Sequence, residues 1–437
     1  MVVAHEFRAP VRGAQEPTRD PVLDLVRAGC LVVVVVLHAM MAGITVDAGG
    51  IHIVNALEDQ DWFTPVTWFV QVMPLFFVVG GFAGITQWRR MRNRGATAVE
   101  FVHGRLNRLA RPAFLAFAVI GAALAFAAVA GVPAELLAQV GYRMGQPMWF
   151  LGAYLGTAAL VPLLARAHDA APKTTLAGLL AVAFAVDLLV IGTGIAALGF
   201  LNLAFVWLAL QQLGFWYADG WLRDRSSGQL LGGALAALGV LLVITTAGPY
   251  SANMLVNLNP PTLCLVLLGL AQLCLVTVAR PRLRSWLERP RVRRSVDVLG
   301  NCSLTVYLWH MPALVLVAAL LLVLRAPWPE LFGAAWWLTR IPWIAAIGVV
   351  VAALVAVVGR FERRPRSARH RAGAATTVLS VLTAISGVAA VLVTGFTVAS
   401  AALGAGLLAA AVGLLRIGRA PQPRWTRGEF ELAARSG

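Results

Sequence analysis

The sequence predicts an all-α polytopic membrane protein with about 12 transmembrane helices, and three observations carry that prediction. Hydrophobic residues make up 59% of the chain and charged ones only 13%. Apolar stretches of the length needed to cross a bilayer, roughly 20 residues, recur from residue 24 to residue 416. The arginines collect in alternate loops, as the positive-inside rule expects of a chain threading back and forth.

The net charge of +16 is almost all arginine, with Lys173 the sole lysine. A pI near 11.3 would suit nucleic acid. The confinement of the charge to membrane loops argues against that partner, so none is expected. Cys30, Cys264, Cys274 and Cys302 all fall in apolar stretches, with neither disulfide-framework nor metal spacing. No bound metal and no permanently bound cofactor is expected.

Residues 1–23, with Arg8, Arg12 and Arg19, read as a cytoplasmic tail. Span one, 24–44, runs outward as DLVRAGCLVVVVVLHAMMAGI. It is longer than a signal h-region and carries ionisable groups, so it is read as retained, although Val46-Asp47-Ala48 has the look of a cleavage site. The loop 45–63 holds Asp47, Glu58, Asp59 and Asp61 and no basic residue, which suits the outer side. Span two, 64–86, leads to an inner loop fixed by Arg89, Arg90, Arg92, Arg94, Arg105, Arg108 and Arg111.

Span three (112–132) reaches an outer segment ending in GYRMGQPMWFLGAYL, where span four begins, running inward to 166. Spans five (175–195) and six (201–220) form a hairpin closed inside by WLRDRSSG. Span seven (230–248) reaches the outer stretch PYSANMLVNLNPP, and span eight descends to 279 and a third loop with seven arginines between Arg280 and Arg294. Span nine (298–323) and span ten (341–358) precede the basic linker 359–373. Two further apolar stretches, 374–395 and 397–416, and a tail at 417–437 complete a chain in the cell membrane with both termini cytoplasmic. The tail is too short for a second catalytic domain, and no repeat of fixed period is evident.

Span one also carries chemistry. Arg27 and His38 are eleven residues apart, three helical turns plus about 20°, so they share a face about 16 Å apart along the axis. Snorkelling accounts for part of Arg27. An imidazole well inside a span costs enough that function is its default reading, with an interhelical hydrogen bond as the alternative. In span nine Ser303, Tyr307 and His310 lie at i, i+4 and i+7 and share a face. Gln146, Trp149 and Ala153 form a stripe at the outer end of span four. Asp187 is the one carboxylate well inside a span and needs a donor. Orienting an imidazole and a structural hydrogen bond are equally good accounts of it. Gln211 and Gln212 suit helix–helix glue, while Asn257 and Asn259 could bind hydroxyls.

The arrangement in span one, an Asp-Leu, then Arg, ten residues and His, resembles the acyltransferase-3 family of integral membrane O-acyltransferases. Phe76-Phe77-Val78-Val79-Gly80-Gly81-Phe82 is similar to that family's FF-hydrophobic-SGF segment, with Gly80 in place of the serine. Met148-Trp149-Phe150-Leu151 resembles its LWFL element and Tyr307-Leu308-Trp309-His310 its YLWH element. The resemblance covers residues 20–358. It implies a ten-helix acyltransferase unit over 24–358 and is silent on the two extra helices within 374–416.

The resemblance further implies transfer of an acyl group from a cytoplasmic thioester, acyl-CoA as co-substrate, to a hydroxyl on a glycan, lipid or small molecule. On that reading His38, with Asp187 and His310, is catalytic, since a neutral imidazole can take the alcohol's proton. Arg27, Arg89 and Arg90 would hold the donor, an arginine fork suiting phosphate. Gln146, Trp149, Tyr307, Asn257 and Asn259 would contact the acceptor. A secondary transporter or lipid exporter is the alternative, though no repeated half or matched pair of broken helices supports it.

Overall fold

The computed structural model describes residues 20–47, 50–58, 60–362 and 373–416. The terminal tails at 1–19 and 417–437, most of the basic linker and Asp59 lie outside them. Fourteen α-helices follow one another among the described residues: α1 Pro21–Met41, α2 Phe63–Val70, α3 Met73–Asn93, α4 Ala98–Val129, α5 Ala134–Gly145, α6 Met148–Ala170, α7 Pro172–Thr193, α8 Asn202–Ala218, α9 Ser227–Thr246, α10 Cys264–Leu287, α11 Pro290–Val323, α12 Ala334–Glu362, α13 Ala374–Thr394 and α14 Val398–Leu414. Eleven helical segments are long and apolar enough to cross a bilayer. The twelfth apolar stretch is the 17-residue α14, somewhat short of the roughly 20 residues a span needs.

The helix ends follow local chemistry. Thr97 with Glu100 and Ser226 with Gln229 close capping boxes on α4 and α9. Proline stands in the first turns of α3 and α7, and Gly194, at φ 71°, ends α7 in the left-handed region.

Several boundaries differ from the sequence expectation. Span one stops at Met41, and Ala42–Asp47 (β1) pairs antiparallel with Gly50–Asn55 (β2), Ile44 opposite Ile53. The expected outer loop is thus largely two paired strands, which the β-branched residues of both favour. The basic loops are shorter than expected, because α4 takes in Arg105, Arg108 and Arg111, and α10 takes in Arg280, Arg282 and Arg284. Span two is broken at Gln71-Val72. Membrane backbone tolerates such a break only where its polar groups are satisfied. Gln71 meets that demand: its carbonyl accepts from Gln272 Nε2 at 2.8 Å, and its own Nε2 donates to the Met254 carbonyl at 3.3 Å.

The chain forms two compact units, residues 1–37, 59–96 and 160–303 in one and 38–58, 97–159 and 304–437 in the other. In the first, α3 crosses α8 at backbone contact. A Cβ on Gly81 would collide with the Gln211 backbone and one on Gly214 with Val78, and beside them Phe77 stacks on Trp207 at 4.3 Å. One end of this unit gathers the arginine-rich tips of α3 and α10 with the acid-bearing ends of α6 and α8 and the start of α1. There Arg89 pairs with Asp169 and Asp219, and Arg280 bonds Asp20 at 2.6 Å. The other end gathers the end of α7 and the starts of α8 and α10, joined by Asp187. In this unit α8 and α10 therefore run the same way and α7 runs against them.

In the second unit α13 and α14 pack on α4 through small residues. Gly121 faces Ala401, Gly387 faces Gly404, and Phe396 N donates to the Gly141 carbonyl at 2.9 Å. His103 on α4 meets Thr377 on α13 at 2.9 Å.

Candidate active site

The second unit brings together the histidines of two separate sequence motifs. His38 on α1 and His310 on α11 lie edge to face, ring centroids 5.0 Å apart. His38 is half-buried, while His310 is 1% exposed. His310 Nδ1 is 2.6 Å from the Tyr307 carbonyl. A carbonyl only accepts, so Nδ1 carries the hydrogen and the neutral ring presents a lone pair at Nε2. That Nε2 is buried and has no hydrogen-bond partner among the described residues.

Tyr307 fixes the wall beside the pair. Its hydroxyl donates to the Pro147 carbonyl at 2.7 Å, just before α6 begins, and Phe150 meets its ring edge-on at 5.0 Å. Trp149 packs edge-on against Phe150 at 6.0 Å. The WFL and YLWH elements thus form one aromatic cluster next to His38. Trp343 on α12 completes the α1 side by donating its Nε1 to the Ala39 carbonyl at 2.9 Å.

The remaining expected residues fare differently. Gln146 is exposed and lies in the turn before α6, so the Gln146–Trp149–Ala153 stripe does not exist as a helix face. Among the described residues Asp187 orients no imidazole. It is 4% exposed and accepts from Asn202 Nδ2 at 2.8 Å, Tyr250 Oη at 2.9 Å and Leu263 N at 3.0 Å. Its charge sits at the N-terminal end of α10, where the helix dipole favours it. Burial and then the Asp187 charge push the Tyr250 hydroxyl well above its ordinary range. Asn257 is spent on the Ser251 and Asn253 carbonyls and on Thr262, so it offers no free group to a hydroxyl. Asn259 is exposed in the same loop.

On the donor side, Arg89 is occupied by Asp169 and Asp219, and Arg90 is half-buried on the same helix. Arg27 is freer. Among the described residues it pairs only with Asp24, at 3.4 Å, and its Nε has no partner, while Gly300 leaves room beside its Nη2.

Sequence reasoning missed His168 in the first unit, which bridges Gln212 and Asp219, each at 2.8 Å. Burial alone would raise the Asp219 carboxyl. The hydrogen bonds from His168 and Arg89, with their charges, outweigh it and hold that carboxyl below its ordinary range. The signal was present as a His-Asp pair at the end of an apolar run. Arg340 was missed because span ten was started one residue after it.

A largely helical, multi-pass chain with paired imidazoles inside one unit has the architecture of a membrane-embedded enzyme. A family profile described as an acyltransferase domain matches residues 20–360, so the chain belongs to the acyltransferase-3 family and is an acyltransferase. No curated protein and no solved structure matches it.

Proposed function

We propose that this enzyme moves an acyl group from acyl-CoA to a hydroxyl of a glycan, lipid or small molecule, with His38 as the general base. The observation that supports this best is the His38–His310 pair, 5.0 Å apart. An alcohol is a poor nucleophile at neutral pH, and a positioned imidazole that takes its proton during attack contributes about 10²–10⁴-fold. His310, held in one tautomer by the Tyr307 carbonyl, keeps its basic nitrogen available beside His38. That free nitrogen favours a second reading in which His310 takes the proton and His38 orients the alcohol.

Arg27, near the start of α1, suits a CoA phosphate because its guanidinium has donors to spare. The arginine-rich helix ends are taken as cytoplasmic, which puts the donor on that side and both termini inside. Mass spectrometry of envelope glycans and lipids from cells carrying the wild-type chain, the His38→Ala chain or no chain tests the reading. The expected result is one acyl mass present only with the wild type. Identical spectra from all three would overturn it.

A further inference from the structure

Arg340 is a cation buried in the second unit with no counterion among the described residues. It lies in the second turn of α12 and is 7% exposed. Its Nε donates to the Trp336 carbonyl at 3.2 Å, while its Nη1 is buried with no acceptor among the described residues. Two indoles flank it, the guanidinium carbon 4.5 Å from the Trp336 ring centroid and 5.5 Å from that of Trp343. Among the described residues no carboxylate pairs with it, and Glu330, the one acid of the preceding loop, is exposed.

Burying a charge without a partner is expensive enough that proteins do it mainly for function. The indole faces recover part of that cost as cation–π attraction but supply no oxygen. Apart from the Trp336 carbonyl, the nearby indoles add donors: among the described residues the Nε1 of Trp336, and that of Trp328, whose ring meets Trp343 at 6.2 Å, are also buried without acceptors. A cluster of donors around a guanidinium calls for a ligand that brings acceptor oxygens. Its position is equally specific, because Trp343, which lies over Arg340, is bonded to the carbonyl of Ala39, the residue after His38.

We propose that Arg340, framed by Trp336 and Trp343, seats an anionic oxygen group, a phosphate or carboxylate, carried by the acyl acceptor. The assignment to the acceptor rests on the acyl-transfer reading above. The cluster holds the charged end of that molecule while its hydroxyl meets the histidine pair. The planar fork of arginine grips two oxygens at once, which the point charge of lysine cannot do.

Binding tests this without turnover, so its failure would leave the acyl-transfer reading standing. The purified full chain in a neutral maltoside detergent is titrated calorimetrically with n-octyl phosphate and with n-octyl glucoside. The expected result is binding of the phosphate alone, weakened about tenfold or more by Arg340→Gln, less by Arg340→Lys, and unchanged by Arg325→Gln on the exposed loop. Arg340→Lys, which keeps the charge, decides the matter if Arg340→Gln does not fold. No binding by the wild type, or equal affinity in Arg340→Lys, overturns the proposal. Repeating the titration in bilayer discs separates the two sources of phosphate. Octyl phosphate should still bind in discs of phosphatidylglycerol as in phosphatidylcholine. Loss in the anionic discs alone would make a lipid headgroup the occupant and overturn the acceptor assignment.

Discussion

Tyr307 Oη donates 2.7 Å to the carbonyl of Pro147, a bond across 160 residues that ties the start of α6 to the helix bearing His310. Tyr307→Phe keeps the ring against Phe150 but leaves the Pro147 carbonyl unpaired, at a cost of about 1–3 kcal/mol. A lower midpoint of thermal unfolding with most of the far-ultraviolet helix signal retained is the expected outcome. An unchanged midpoint would mean the bond contributes nothing.

The two histidines separate by kinetics. On the proposed mechanism His38→Ala lowers kcat by about 10²–10⁴-fold while KM for acyl-CoA holds, because proton removal matters chiefly in the transition state. His310→Ala should lower kcat less. The reverse order, measured on purified variants of equal abundance, would transfer the base role to His310.

Asp187 gives the opposite pattern. Asp187→Ala strands three donors on Asn202, Tyr250 and Leu263, at about 1–3 kcal/mol for each that finds no other partner. Thermal stability should fall while kcat per folded molecule stays at the wild-type value. A collapse of kcat in well-folded protein would restore Asp187 to the chemistry.

Acid should loosen the first unit through Asp219. Its folded carboxyl lies below the ordinary range, so the stability it contributes is present above about pH 4 and is lost as pH falls through the folded value. The groups facing it are His168 and Arg89. Thermal midpoints measured from pH 6 down to pH 3 should fall more steeply for the wild type than for Asp219→Asn. Parallel curves would remove Asp219 from the acid response.

Sidedness can be read by labelling. Cys302 is the one native cysteine that is not buried, so a Cys302→Ser background is suitable. An impermeant thiol reagent should mark Glu58→Cys in intact cells and Gly95→Cys only after permeabilisation. The opposite result would invert the orientation.

The sequence made the spans legible because lipid demands long apolar runs, and it made the histidines legible because imidazole is out of place in them. His38 and His310 were singled out from separate stretches, and their contact needed only the helices to pack. Hydropathy was blind to the break at Gln71-Val72, since the side-chain amide of Gln272, about 200 positions away, satisfies the Gln71 carbonyl. Asp187 could not be resolved from sequence, as its partners lie on α8, on the α9–α10 loop and at the start of α10. Arg89 read as a free phosphate ligand only while Asp169 and Asp219 were distant in the chain.

The bond between His103 and Thr377 closes over 274 residues, and the face of α4 around Gly121 is filled by Ala401. Synthesis proceeds from the N-terminus, so α4 enters the bilayer long before its neighbours exist. Its imidazole and its small-residue stripe must wait, facing lipid or a helper protein, until the final hairpin is made. The second unit is therefore completed last. A ribosome stalled before residue 373 would leave the helix bearing His310 made but the α4 face open, which makes α13 and α14 the step that closes that face.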